Sequence, residues 1–281
     1  MTPQDTPRQT KAERRDAARE QARRMREEQA RRERRNRVLL IGGLVVVVAL
    51  IAVAVVAIIG NSGTKSLDDV AAPAPATAEG GIPVAADGVG ATTDGVPTVA
   101  IYSDYMCPIC GEFESINGTT LDELAASGEA TIVYHPIAIL DGFSQGTQYS
   151  TRSTQAVAVV ADQAPDQFLA FHQALFANQP EENTPGLSDD EIAQVALDAG
   201  VPQDVVDAFG DGTFTPWVSA VTTQAESDLV AAGMDRPGTP AILIDGELWG
   251  ANWTDPAALP DAVAAASGAA PTEDAATTPA G

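Results

Sequence analysis

The distribution of apolar and polar residues divides the chain into zones. Val38–Ile59 is an apolar run of 22 residues without a charge. As a helix it reaches about 33 Å, enough to cross a hydrocarbon core of about 30 Å. It is apolar on every side, unlike an amphipathic core helix. A cleaved leader usually has an apolar core of about 7–15 residues, so the run reads as an uncleaved membrane anchor. Residues 60–95 are Ala, Pro, Gly, Thr and Asp with little periodicity, and predict a flexible linker. Residues 267–281 share that composition and predict a disordered tail.

Residues 96–266 carry the pattern of one folded domain. Thr98–Ser103 and Ala130–Tyr134 read as strands. Between them, Pro108–Ser127 places Phe113, Ile116, Leu121 and Leu124 near one helical face, with Asn117-Gly118 suggesting a break. A helical region at about 145–233 follows, with candidates at Thr151–Gln163, Pro165–Asn178, Ser188–Ala199, Pro202–Phe209 and Pro216–Ala232. Ser188-Asp189-Asp190-Glu191 has the form of a capping box. Ala241–Ile244 returns to strand, Asp245-Gly246 signals a hairpin to Glu247–Gly250, and Asp255 can cap a last helix, Pro256–Ala265. The order predicts an α/β fold with one mixed sheet and an inserted helical subdomain, preceded by a single transmembrane helix.

Charge gives the anchor a direction. Residues 1–37 carry 13 Lys and Arg against 7 Asp and Glu, whereas the 244 residues that follow carry 3 against 32. The basic side stays cytoplasmic by the positive-inside rule, which puts the acidic domain outside the cell membrane. Residues 1–37 read as a solvated charged tail. The acidic excess argues against nucleic acid as a partner.

The only cysteines are Cys107 and Cys110, in Cys107-Pro108-Ile109-Cys110 at a strand-to-helix junction. The first helical turn has unpaired N–H groups and the positive end of the helix dipole, which stabilise a thiolate. Pro108 suits the first helical position. A C-x-x-C pair so placed reads as thioredoxin-like. Two ordinary buried thiols is the other reading. A structural zinc site needs four ligands, and beyond the pair only His135 and His172 could add imidazole. Both histidines read as structural. Asn117-Gly118-Thr119 and Asn252-Trp253-Thr254 fit the glycosylation pattern.

Ile101–Phe113, which contains the cysteine pair, resembles the active-site segment of DsbA-like thiol–disulfide oxidoreductases, thioredoxin-fold proteins of the bacterial cell envelope. Gly238-Thr239-Pro240-Ala241-Ile242-Leu243-Ile244-Asp245-Gly246 is similar to their cis-proline loop, and Phe168–Phe176 to part of their inserted helical region. The resemblance implies an exposed, attacking Cys107, a more buried partner Cys110, a cis Pro240 against the sulfurs, and a Thr239 backbone that meets extended substrate. It makes Pro108 and Ile109 the residues that tune the pair. It implies a proton-transfer role for Asp104, for which a turn residue satisfying backbone N–H groups is the equal alternative. No cofactor is implied beyond the Cys107–Cys110 redox disulfide, and no metal.

The implied activity is that of a tethered, monomeric oxidase placing disulfides into unfolded exported polypeptides with free thiols. A membrane reoxidase of the quinone-linked type would regenerate it. Ile109 departs from the histidine of the family's strongest oxidases, so an envelope reductase, for instance serving cytochrome maturation, is an alternative. A non-catalytic metal- or peptide-binding protein on the same scaffold is another.

Overall fold

A computed structural model of the protein describes residues 65–268. The charged tail 1–37, the expected anchor 38–59 and the tail from residue 269 lie outside the described residues. Among those described, no helix is long and apolar enough to cross a membrane.

Six strands form one mixed sheet in the order β2-β1-β4-β3-β5-β6. They are β1 (Ile82–Ala85), β2 (Gly88–Val89), β3 (Thr98–Ser103), β4 (Thr131–Pro136), β5 (Ala241–Ile244) and β6 (Glu247–Leu248). β3 and β4 run parallel, with Ile101 opposite Tyr134; the other pairings are antiparallel. The β3–β4 crossover is α1 (Pro108–Ser127), as a parallel pair requires. The helical insertion comprises α2 (Tyr149–Gln163), α3 (Phe168–Ala177), α4 (Asp189–Asp198), α5 (Gln203–Asp207) and α6 (Thr215–Ala231); α7 (Ala258–Ala266) closes the domain.

The main core gathers Ile82, Val99, Ile101, Phe113, Leu121, Ile132, Tyr134, Phe168, Phe171 and Trp217. A smaller cluster joins Tyr102, Ile137, Ala241 and Leu243 to Ala225 and Leu229 of α6. The sheet is therefore covered on both faces, which is why β4 is buried at every position, its polar Thr131 and His135 included.

The linker expected at 60–95 is corrected from residue 65 onward. Ile82–Ala85 is a fully buried strand paired antiparallel to β4, and the chain before it carries a short 3-10 turn at Leu67–Asp69. The folded unit thus begins well before residue 96. The strand escapes the sequence pattern because both its faces are covered, so no alternation marks it, and because Gly80-Gly81 and Pro83 mimic linker composition.

α1 runs unbroken through Asn117-Gly118. Asn117 is fully buried and its amide donates to the carbonyls of Phe113 and Trp253, so this sequon is closed to modification. Gly128, with φ 74°, ends the helix in the left-handed conformation. Ser188 and Glu191 form the capping box. The last helix starts at Ala258 rather than Pro256; Asp255 instead accepts the Ala257 N–H in the preceding turn.

Ile82→Ala is expected to lower unfolding stability by about 2–5 kcal/mol, the cost of truncating a core aliphatic side chain. Urea denaturation measures it. A loss under about 0.5 kcal/mol would return residues 82–85 to the linker.

Candidate active site

β3 delivers the chain into a loop, Asp104-Tyr105-Met106, that leads to the dithiol. Cys107 is the N-cap of α1 and Pro108 its first residue. The N–H groups of Cys110 and Gly111 return to the Cys107 carbonyl at 3.0 and 3.2 Å, which closes the first turn. Both thiols are free. Both cysteines are buried, Cys107 at 5% exposure and Cys110 at 1%, which corrects the exposed position expected for Cys107; it is neighbouring Ile109 that is exposed, at 52%.

The two sulfurs have opposite proton affinities. The Cys107 thiol is pulled down to about 6, chiefly by the hydrogen bond from Cys110. Burial opposes this shift, while the Thr239 side chain and the N–H groups of Cys110 and Ile109 reinforce it. Cys110 is pushed far up by burial, and further by its hydrogen bond to Cys107 and the negative charge there. Helix start and core together separate two chemically identical groups.

The loop before β5 closes over the pair. The Thr239–Pro240 peptide is cis, and Cys107 Sγ donates to the Thr239 carbonyl at 3.3 Å. β5 is antiparallel to β3, with Ala241 opposite Tyr102, so sheet register brings residues 132 positions apart together.

Asp104 is completely buried. Its Oδ1 accepts from the Met106 N–H at 2.8 Å and the Ser150 hydroxyl at 2.7 Å, and its Oδ2 from the Leu140 N–H at 2.9 Å. This is the turn arrangement, extended to α2 and to the loop after β4. Burial raises the carboxyl to about 6 against those three donors.

Two contributors escaped the sequence reading. The Gln179 amide donates to the carbonyls of Tyr105 and Cys107 at 3.0 and 2.9 Å. It lies in the loop after α3, where no motif marks it. Glu114 sits buried four residues after Cys110, a spacing that could have placed it on the same helical face. Of the histidines, His135 stacks on Tyr102 with ring centroids 4.3 Å apart, and burial pushes it down to about 4. His172 lies under the loop, its Nδ1 2.8 Å from the Tyr105 hydroxyl. Among the described residues no group of three or more His, Cys, Asp or Glu is placed to hold a metal ion.

A nucleophilic sulfur at a helix start, a resolving sulfur behind it and a proline loop above define a thiol–disulfide oxidoreductase on a thioredoxin scaffold. The family model described as Thioredoxin matches residues 90–259. Reduced DsbA from Mycobacterium tuberculosis is 28% identical with a TM-score of 0.54, covering 67% of this chain and 92% of that one. The reduced disulfide bond oxidoreductase DsbG of the same organism is 29% identical with a TM-score of 0.55, covering 68% and 89%. The MdbA thiol–disulfide oxidoreductase of Actinomyces oris, at 20% identity and a TM-score of 0.54, shares the fold. The chain belongs to the DsbA-like thiol–disulfide oxidoreductases of the thioredoxin family.

Similarity also extends to the serine/threonine-protein kinase PknE of Mycobacterium tuberculosis, 31% identical over 178 residues. That match covers 62% of this chain and 31% of the kinase, so the chain spans about a third of the length of these curated relatives. A second family model, described as an inhibitor of host cell division protein domain, matches residues 16–73, less than half of the chain.

Two titrations follow from this geometry. Thiolate absorbance of the reduced protein is expected to rise with a midpoint near pH 6, and Cys110→Ala to move it upward by removing the strongest stabilising hydrogen bond. An unmoved midpoint would reassign that effect to the helix. Asp104 has a folded pKa above the unfolded value, so its stabilising contribution is present below about pH 4 and lost as pH rises through about 6. Between pH 4 and 7, Asp104→Asn is expected to gain up to about 3 kcal/mol relative to wild type. A pH-independent difference in unfolding free energy would contradict it.

Proposed function

We propose that the protein is a membrane-anchored, extracytoplasmic oxidase that places disulfides into exported polypeptides through Cys107 and Cys110. The observation that carries this reading is the separation of the two sulfurs. A stabilised Cys107 thiolate favours the reduced protein, and so makes its disulfide readily surrendered. The apolar run at 38–59 supports the anchor, and the basic residues before it support the orientation.

A substrate thiolate attacks Cys107 Sγ. A substrate–Cys107 bond forms, the Cys107–Cys110 bond breaks, and Cys110 leaves and takes up a proton. A second substrate thiolate then attacks the substrate sulfur of the mixed disulfide. The substrate disulfide forms, and Cys107 leaves as its stabilised thiolate. A low-pKa leaving sulfur speeds this last step. Two electrons have passed to the protein, and a membrane reoxidase of the quinone-linked type removes them.

Thr239 and Pro240 sit where an extended peptide can lie against the attacking sulfur, in the manner of strand addition. Pro108 shapes the first turn, and exposed Ile109 offers an apolar contact beside it. Asp104 holds the loop through its three donors. Domain and anchor act as a monomer. The neutral Ile109 favours a second reading, an envelope reductase, because no cation at that position adds to the thiolate's stabilisation.

Equilibration with glutathione separates these directions. A potential near or above about −180 mV is expected for the oxidase, whereas one near about −270 mV would transfer the protein to the reductases. Cys107→Ser should abolish disulfide transfer to a reduced, unfolded model protein, and Cys110→Ser should trap the mixed disulfide. Transfer by Cys107→Ser would remove the dithiol from the mechanism.

A further inference from the structure

Beside the dithiol lies a buried acid–base pair that the exchange steps above do not use. His172 of α3 places Nε2 3.4 Å from Glu114 Oε2, and both side chains are more than nine-tenths buried. The other imidazole nitrogen, Nδ1, meets the Tyr105 hydroxyl at 2.8 Å. Glu114 Oε1 has no hydrogen-bond partner. It lies against Gly118, where a Cβ would come within 2.5 Å of it. The groups around the pair are Tyr105, Tyr134 and Asp122; Tyr134 meets the His172 ring edge-on, and Asp122 accepts from Gln173. None of them is a cation. A cleft of about 260 Å³ between α1 and α3, lined by Glu114, Gly118, Gln173 and Phe176 among others, gives solvent protons a route in.

An isolated carboxylate in this setting is costly, and it lies one helical turn beyond Cys110 on the active-site helix. Its charge would also oppose the thiolate at Cys107. We propose that Glu114 and His172 hold one proton between them and so form a neutral pair, and that His172 thereby acts as a positioning and charge-compensating residue for the dithiol. Whichever partner carries the proton, the net charge beneath the active-site turn is zero. Tyr105 ties the same pair to the loop that carries Cys107. The inference rests on the disulfide-exchange reading above.

The test uses the full chain equilibrated with glutathione at pH 8. His172→Gln leaves the carboxylate uncompensated. A unit charge about 10 Å away, at an effective dielectric near 20, shifts an equilibrium by about tenfold, so the variant is expected to be about tenfold less oxidising. Adding Glu114→Gln removes the charge and is expected to restore the wild-type equilibrium to within about threefold. A structural role alone predicts the reverse, a double variant at least as impaired as the single one. An unshifted His172→Gln, or an unrescued double variant, overturns the proposal.

If His172→Gln does not fold, His172→Asn, alone and combined with Glu114→Gln, carries the same comparison, and an unshifted single variant or an unrescued double one overturns the proposal. A wild-type protein that fails to exchange with glutathione defeats the disulfide-exchange reading instead.

Discussion

The inequality of two sulfurs is the constraint on which the active site depends. Cys107 and Cys110 differ by three positions and both are buried, yet one caps the free N–H groups of a helix start while the other lies a turn deeper. The S–H of Cys110 hydrogen-bonds to Cys107, so the group that resists ionisation stabilises the one that ionises. The order of bond-making in the proposed exchange follows from that asymmetry. The lower-pKa sulfur meets substrate and leaves easily; the more deeply buried one closes the ring.

Holding this geometry takes an unusual amount of buried polar chemistry. The loop from Asp104 to Cys107 is tied to Ser150, to the Leu140 N–H, to Gln179 and to His172. Ser150 and His172 belong to the inserted helices, and Gln179 to the loop that follows α3. The insertion is therefore part of the active-site support as well as a lid on the sheet. Each tie is worth about 1 kcal/mol net, but leaving a buried partner unsatisfied costs about 1–3 kcal/mol, so the network resists piecemeal change. The same economy explains Asn117, whose amide binds α1 to the loop carrying Trp253 while Phe113 packs edge-on against that indole.

Charge is distributed against expectation for a thiolate enzyme. Stabilisation at Cys107 comes from backbone N–H groups, the Thr239 side chain and the neighbouring thiol, with no lysine or arginine among its causes. Arg152, one of three basic residues after residue 37, is committed elsewhere: it pairs with Asp189 at 2.7 Å and donates to the carbonyls of Thr147 and Leu187. In so acidic a chain, local dipoles supply what cations supply in other sites.

Much was legible from residue order alone. The cysteine pair after an apolar strand, the capping box at Ser188, the run of insertion helices and the Asp245-Gly246 hairpin are local signals, each written within a few consecutive residues. β1 was not legible, because a strand covered on both faces loses its alternation and its glycines and proline resemble a linker. The roles of Asp104, Gln179, Glu114 and His172 were not legible either. A carboxylate three residues before a cysteine has the same letters whether it serves a proton or three hydrogen-bond donors, and only packing decides which donors arrive. Local order thus determined the reactive pair and the class of fold. Tertiary structure decided which sulfur ionises, what holds the loop and which acid stays without a full set of partners, because burial and hydrogen bonding between residues 36 to 132 positions apart set those energies.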